Sequence, residues 1–186
     1  AINNFNLLVF LLSILNRNKM ATTPKTLVIK DLEEKSILVS RTFSAALEKV
    51  WRAYTESELL EQWWAPKPWK AETKRMDFSV GGYWLYAMVG PENEKHWGRM
   101  DYTAITPHLS FEIKDSFCDE EGTVNTSLPV SKGIIVFTTT ESGTLVEFKM
   151  FYSNEKEIET MIEMGFEQGI TACLEQLETL FLENKI

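Results

Sequence analysis

Apolar and polar residues alternate along most of this chain, and where the alternation stops the spacing turns helical. From Leu27 to Phe43, "LVIKDLEEKSILVSRTF" carries β-branched residues in alternation and predicts one long edge strand. Ser44 is the expected N-cap of a short helix, "AALEKVWRAYT", with Leu47, Val50, Trp51 and Tyr54 at helical spacing. "ESELLEQWW" predicts a second short helix, stopped where Pro66 and Pro68 forbid helical continuation.

From about Trp69 to Tyr152 the pattern is that of strands. "MDFSVGGYWLYAMVG" puts Trp84, Tyr86 and Met88 on one face and Tyr83, Leu85 and Ala87 on the other, after a turn at Gly81-Gly82. By the same parity Gly98, Met100 and Tyr102 share a face, as do Phe111, Ile113, Asp115 and Phe117, and Val146, Phe148 and Met150. A hairpin is expected at Ser142-Gly143, and short turns throughout imply an antiparallel meander. From Glu155 to Asn184 the apolar positions Ile158, Ile162, Gly165, Gly169, Cys173, Leu177 and Phe181 predict one long amphipathic helix. An antiparallel sheet with one wet face must cover its other face, and only this helix is large enough. The expectation is an α+β fold: a curved antiparallel sheet of about six to seven strands around a long C-terminal helix, with two short helices after the first strand.

Length and charge narrow the possibilities. A chain of 186 residues suits one domain, and a formal charge of −8 with scattered basic residues argues against a nucleic-acid partner. "EKEIE" and "CDEEG" lack the ligand spacing of a calcium loop and are read as solvated surface. Cys118 and Cys173 are far apart and outside any CxxC, which suggests reduced thiols and a cytoplasmic setting; with only His96 and His108 besides, no metal site is expected. Residues 1–19 hold an apolar run from Phe5 to Leu15, too short to span a bilayer, with no basic segment before it and no A-x-A-like site after it. Stable membrane anchoring is not expected. Met20 heads "ATTPKT" as a natural start, so residues 1–19 are read either as sequence upstream of the true start or as a hydrophobic extension, and residues 20–186 as the single domain.

Four blocks carry a family likeness: "SRTFSAALEKVWRAYTESELLEQWWAP", "MDFSVGGYWLYAMVGPE", "GRMDYTAITP" and "MIEMGFEQGITACLEQLETLF". In this order, from about Ser40 to Phe181, they resemble the START-like (SRPBCC, birch-pollen-allergen-like) superfamily, and within it the group related to the activator of heat shock protein 90 ATPase. The resemblance implies a helix-grip fold with a deep, mainly apolar cavity between sheet and helix. It implies little about chemistry, because the superfamily includes lipid and hormone binders, aromatic cyclases, stress-related proteins and chaperone regulators.

The residues expected around such a cavity follow from parity. Trp84, Phe111, Ile113, Phe117 and Phe148 supply apolar area, and Met88, Met100, Met150 and Met161 adapt to irregular shapes. Tyr86, Tyr102 and Asp115 are the polar members, of the kind that orient a ligand in an apolar pocket. Gly165 and Gly169, four apart on the helix face toward the sheet, either admit a strand closely or leave room for a ligand. Cys173 lies on that face, where thiols are usually inert. Trp63-Trp64 are expected to cap the mouth, one ring inward and one packed on the first helix, with Trp97 lining the same end.

No G-x-S-x-G elbow, phosphate loop or dinucleotide fingerprint occurs, so no catalytic residue and no cofactor is assigned. The reading is a module that binds an apolar, lipid-like or amphipathic small molecule. Two alternatives stand beside it: a chaperone regulator or stress-related partner protein, implied by the family name, and a cyclase, dehydratase or hydrolase working with Tyr86, Asp115 and water.

Overall fold

The computed structural model describes residues 25–186; the hydrophobic run and Met20 lie outside the described residues. The alternating segments form β1 (Leu27–Asp31), β2 (Ser36–Phe43), β3 (Lys70–Met76), β4 (Tyr83–Val89), β5 (Lys95–Thr106), β6 (Ser110–Cys118), β7 (Val130–Thr140) and β8 (Gly143–Phe151). They make one antiparallel sheet in the order β1-β2-β8-β7-β6-β5-β4-β3. Helices α1 (Leu47–Thr55) and α2 (Ser57–Leu60) follow β2, and α3 (Glu155–Glu163) and α4 (Phe166–Leu182) close the chain. Register shifts at Thr73/Arg75 and Tyr102/Ala104 interrupt the ladders of β3 and β5. Such bulges bend a strand and increase its twist, which curves the sheet around the helices.

The expected α+β architecture is present, with four differences of detail. The sheet has eight strands rather than six or seven, because Leu27–Phe43 is a hairpin and not a single edge strand. The polar stretch "DLEEK" turns back: the Asp31 carboxylate accepts from the Glu34 amide at 2.8 Å, and Lys35 takes a positive φ of 53°. Ser44 is not the cap of α1, whose N-cap position is Ala46 without a side-chain bond. Instead the Ser44 amide and hydroxyl donate to the buried Glu178 carboxylate, at 3.1 and 2.6 Å, and tie the end of β2 to α4. Helix α2 stops at Leu60, before Trp63 and before either proline.

The long C-terminal helix is broken. Asn154 caps α3, its side chain accepting from the Glu157 amide, so the helix begins where expected. It ends at Gly165, whose φ of +82° belongs to the left-handed region that glycine enters at little cost. The spacing of apolar residues runs through this turn without change, so periodicity alone predicts one rod. Beyond the turn, α4 buries Cys173, Leu174, Leu177 and Phe181, whereas Phe166, Gly169 and Ile170 near its start are only half-buried.

The core lies between the concave sheet face and the helices. Trp51 anchors one end, with ring centroids 5.1 Å from Phe137 and 5.9 Å from both Phe78 and Phe111. On the convex face a small separate cluster gathers Leu38, Ile134, Val136 and Phe151.

Candidate functional site

The aromatic segment after α2 divides its labour. Trp63 is fully buried; its indole N–H donates to the Ala53 carbonyl at 3.0 Å and its ring lies 4.8 Å from Tyr54. Trp64 turns inward, edge-on to Trp84 at 5.5 Å and perpendicular to Tyr86 at 6.2 Å. Trp84 and Tyr86 stack at 4.0 Å. One ring therefore packs on α1 and its neighbour faces the sheet.

Tyr86 is fixed from below by Gly98, the directly opposite residue on β5. A Cβ on Gly98 would lie 2.7 Å from both Cζ and the hydroxyl oxygen of Tyr86. Gly98→Ala is expected to displace that ring and destabilise the fold by about 1–3 kcal/mol, the usual range for overpacking a filled interior. Urea unfolding measures the loss, and an altered near-ultraviolet dichroism would report the moved ring.

Asp115 occupies the inward parity of β6, half-buried, with no cationic partner within ion-pair distance among the described residues. Burial pushes its carboxyl up to about 7, opposed by the Ser116 amide and reinforced by the negative charge of Asp101. The Tyr86 and Tyr152 phenols, which feel the charge of Asp115, are also held above their usual range, chiefly by burial. When protonated, the Asp115 carboxyl can donate as well as accept hydrogen bonds, as a ligand-orienting group must. Cys173 is buried, its Sγ donating to the Trp64 carbonyl at 3.2 Å, and burial pushes the thiol up to about 12. Both burial and the raised pKa disfavour the thiolate that nucleophilic chemistry requires.

The other expected residues sort as follows. Trp84, Tyr86, Met100, Tyr102, Phe111, Ile113, Phe148 and Met150 are buried together in the core cluster on the concave face, and Met88 and Met161 pack half-buried against it. Phe117 is half-buried near the end of β6, outside that cluster. Trp97 belongs elsewhere. It pairs with Ala87 on the convex parity, its ring under the ammonium groups of Lys74 and Lys95 at 5.5 and 5.8 Å, because the neighbouring Gly98 takes the inward position. Neither helix glycine serves close packing: Gly165 makes the turn, and a Cβ on Gly169 would meet nothing within 4 Å.

Parity also contained a residue that the sequence reading left out. Ile37, Val39 and Phe43 face inward on β2, and Arg41 shares their face, buried with 6% of its surface exposed. The alternation was visible in "ILVSRTF", but the charge disguised an inward position.

The interior is closely filled. Among the described residues lie two small voids of about 10 Å³, each roughly the space of one water. One is lined by Trp84, Met100, Phe111 and Ile135, the other by Val39, Arg41, Ile170 and Leu174, and both by Tyr54, Trp64 and Phe148. The indole N–H of Trp64 is buried there without a hydrogen-bond partner; it points near enough to the Tyr86 oxygen to favour the phenolate slightly, but not in bonding geometry. Among the described residues no group of His, Cys, Asp and Glu side chains is placed to hold a metal, and no helix is long and apolar enough to cross a membrane.

An open antiparallel sheet closed around a C-terminal helix, with two short helices at one end, defines the helix-grip class of α+β proteins. Solved structures agree. A protein of Mycobacterium smegmatis superimposes with a TM-score of 0.78 at 30% identity, covering 84% of this chain and 96% of its own. One from Arthrobacter aurescens gives 0.79 at 30%, covering 84% and 91%. A third, from Staphylococcus epidermidis, gives 0.73 at 29%, covering 86% and 94%. The family model described as "Activator of Hsp90 ATPase homolog 1-like protein" matches residues 44–181, so the chain belongs to that family. No curated protein matches it.

Proposed function

We propose that the protein binds an apolar or amphipathic small molecule between the concave sheet face and the first half of α4. The observation that carries this reading is the pair of small voids around Trp64, Tyr54 and Phe148, beside a Trp64 indole N–H that is buried without a hydrogen-bond partner. A buried donor without an acceptor costs about 1–3 kcal/mol, and a bound acceptor group would recover it. As they stand the voids hold no ligand larger than water, so binding requires the first turns of α4 to lift. Three features support such a movement: the half-burial of Phe166 and Ile170, the left-handed turn at Gly165, and the open space over Gly169. Met88, Met100, Met150 and Met161 around the site can change rotamer to fit different shapes. In this reading Trp64, Trp84, Met100, Phe111 and Phe148 enclose the ligand body, while Tyr86 and Asp115 orient it.

The test is native mass spectrometry of protein purified without detergent, with denaturing extraction of whatever is bound. A discrete small-molecule adduct is the expected result. A bare mass, together with no thermal stabilisation by a library of lipids and aromatic compounds, would overturn the reading. A chaperone-regulator role draws only on the family description, and stimulation of a purified heat shock protein 90 ATPase would be its support. The free thiols Cys118 and Cys173 fit a cytoplasmic setting.

A further inference from the structure

Among the described residues Arg41 is a charge without a counter-charge. Its Nη1 donates to the Thr26 hydroxyl at 2.8 Å, but its Nε is buried with no acceptor, and Nη2 donates to no protein group among the described residues. No carboxylate lies within ion-pair distance of it among those residues. The buried Glu178 is taken up by Ser44. Asp115 sits on β6, three strands from β2 in the sheet order and about six residues further along the strands, more than about 14 Å away at ordinary strand spacing. The Phe43 ring, 5.8 Å from the guanidinium carbon, offers weak compensation. Tyr54 feels the Arg41 charge, yet its phenol is held neutral by burial and cannot neutralise a cation.

A guanidinium so deeply buried without a counter-charge is expensive, and buried charges in proteins are normally paired. The edge left free, Nε with Nη2, is the fork that takes a carboxylate through two parallel hydrogen bonds. Trp64 lines the same void, with its unpaired N–H turned toward the Tyr86 oxygen. The adjoining void leads away from this polar end along Trp84, Met100 and Phe111. We infer that Arg41 forms an anion-reading head site, and that the ligand class is an amphipathic monocarboxylate whose aliphatic or aromatic body extends past Trp64 toward Trp84 and Phe111. This deepens the proposed small-molecule site and rests on it. One cation with one free fork matches a single carboxylate, whereas a phosphate monoester would ask for more donors. The chain's formal charge of −8 repels anions in general, so an anion held here must be selected by the local fork.

The experiment compares ligands that differ only at the head group: decanoate, decanamide and decylamine below their micelle concentrations, titrated calorimetrically into the full chain. Wild type is expected to bind decanoate at least tenfold more tightly than decanamide, with decylamine weakest. Arg41→Met should lose at least tenfold for decanoate and leave decanamide unchanged, and Arg41→Lys should recover part of the loss. Equal affinities for acid and amide in wild type, or undiminished decanoate binding in Arg41→Met, would overturn the head-group assignment while leaving the small-molecule reading intact. Binding of none of the three, nor of phenylacetate, would sink both. If Arg41→Met fails to fold, the wild-type head-group ranking and the conservative Arg41→Lys decide the matter.

Discussion

Trp63→Ala is expected to lower stability by about 3–5 kcal/mol, the range for removing a large aromatic from a filled core. The ring is wholly buried, touches Tyr54 and Trp64, and holds α1 through the Ala53 carbonyl, which would lose its side-chain donor. In a domain of this size each kcal/mol shifts the melting temperature by about 2–4 °C, so a fall of roughly 10 °C should appear in a thermal scan. Trp97→Ala is the control. Its ring lies on the convex face beneath two lysines, and its loss should cost less than about 1 kcal/mol, the scale of an exposed cation–π contact. Equal effects at both positions would mean that Trp63 is not the anchor its burial indicates.

The second large effect depends on pH. In the folded protein the Asp115 carboxyl is pushed up to about 7, mainly by burial, while an unfolded chain releases that proton near pH 4. Between these values the folded state binds a proton that the unfolded state has lost, so stability falls as pH rises. The contribution is complete below about pH 4 and is gone above about pH 7. Asp115→Asn keeps the shape and removes the ionisation. It should leave stability unchanged near pH 4 and raise it at pH 8 by on the order of 2–4 kcal/mol, nearer the lower figure because the side chain keeps some contact with solvent. Denaturant titrations of both proteins across pH 4–8 measure this. Parallel curves would show that the carboxyl titrates normally. The same titration bears on ligand recognition, since a protonated Asp115 donates a hydrogen bond that an ionised one cannot.

Alternation of apolar residues was enough to place Trp84, Tyr86, Met100, Phe111, Ile113, Phe148 and Met150 on one buried face, because a two-residue period leaves no choice once one face is covered. It placed the hairpin at Gly143 and the start of α3 for equally local reasons: glycine tolerates the turn's φ of 140°, and Asn154 caps its own helix. The α+β class, and the covering of the sheet by the last helix, follow from the same pattern and the need to bury one face.

Other features depended on partners distant in sequence. The turn in "DLEEK" turned one expected strand into two because β2 pairs with β8, more than a hundred residues away, as well as with β1. Ser44 reads locally as a cap, but the carboxylate of Glu178 on α4 claims it. Trp97 and Trp64 look alike as residues. Only the register of β5, with Gly98 inward under Tyr86, decides that the first faces out, and only the path after α2 aims the second at the sheet. Arg41 shows the division most clearly: its parity was written in the strand, but that no carboxylate among the described residues pairs with it is a fact about which side chains the fold brings within reach. Local pattern determines faces, turns and caps, since these depend on a few neighbouring dihedrals. Pairing, void shape and the solvation of a charge depend on contacts across the fold, and the tertiary structure alone settles them.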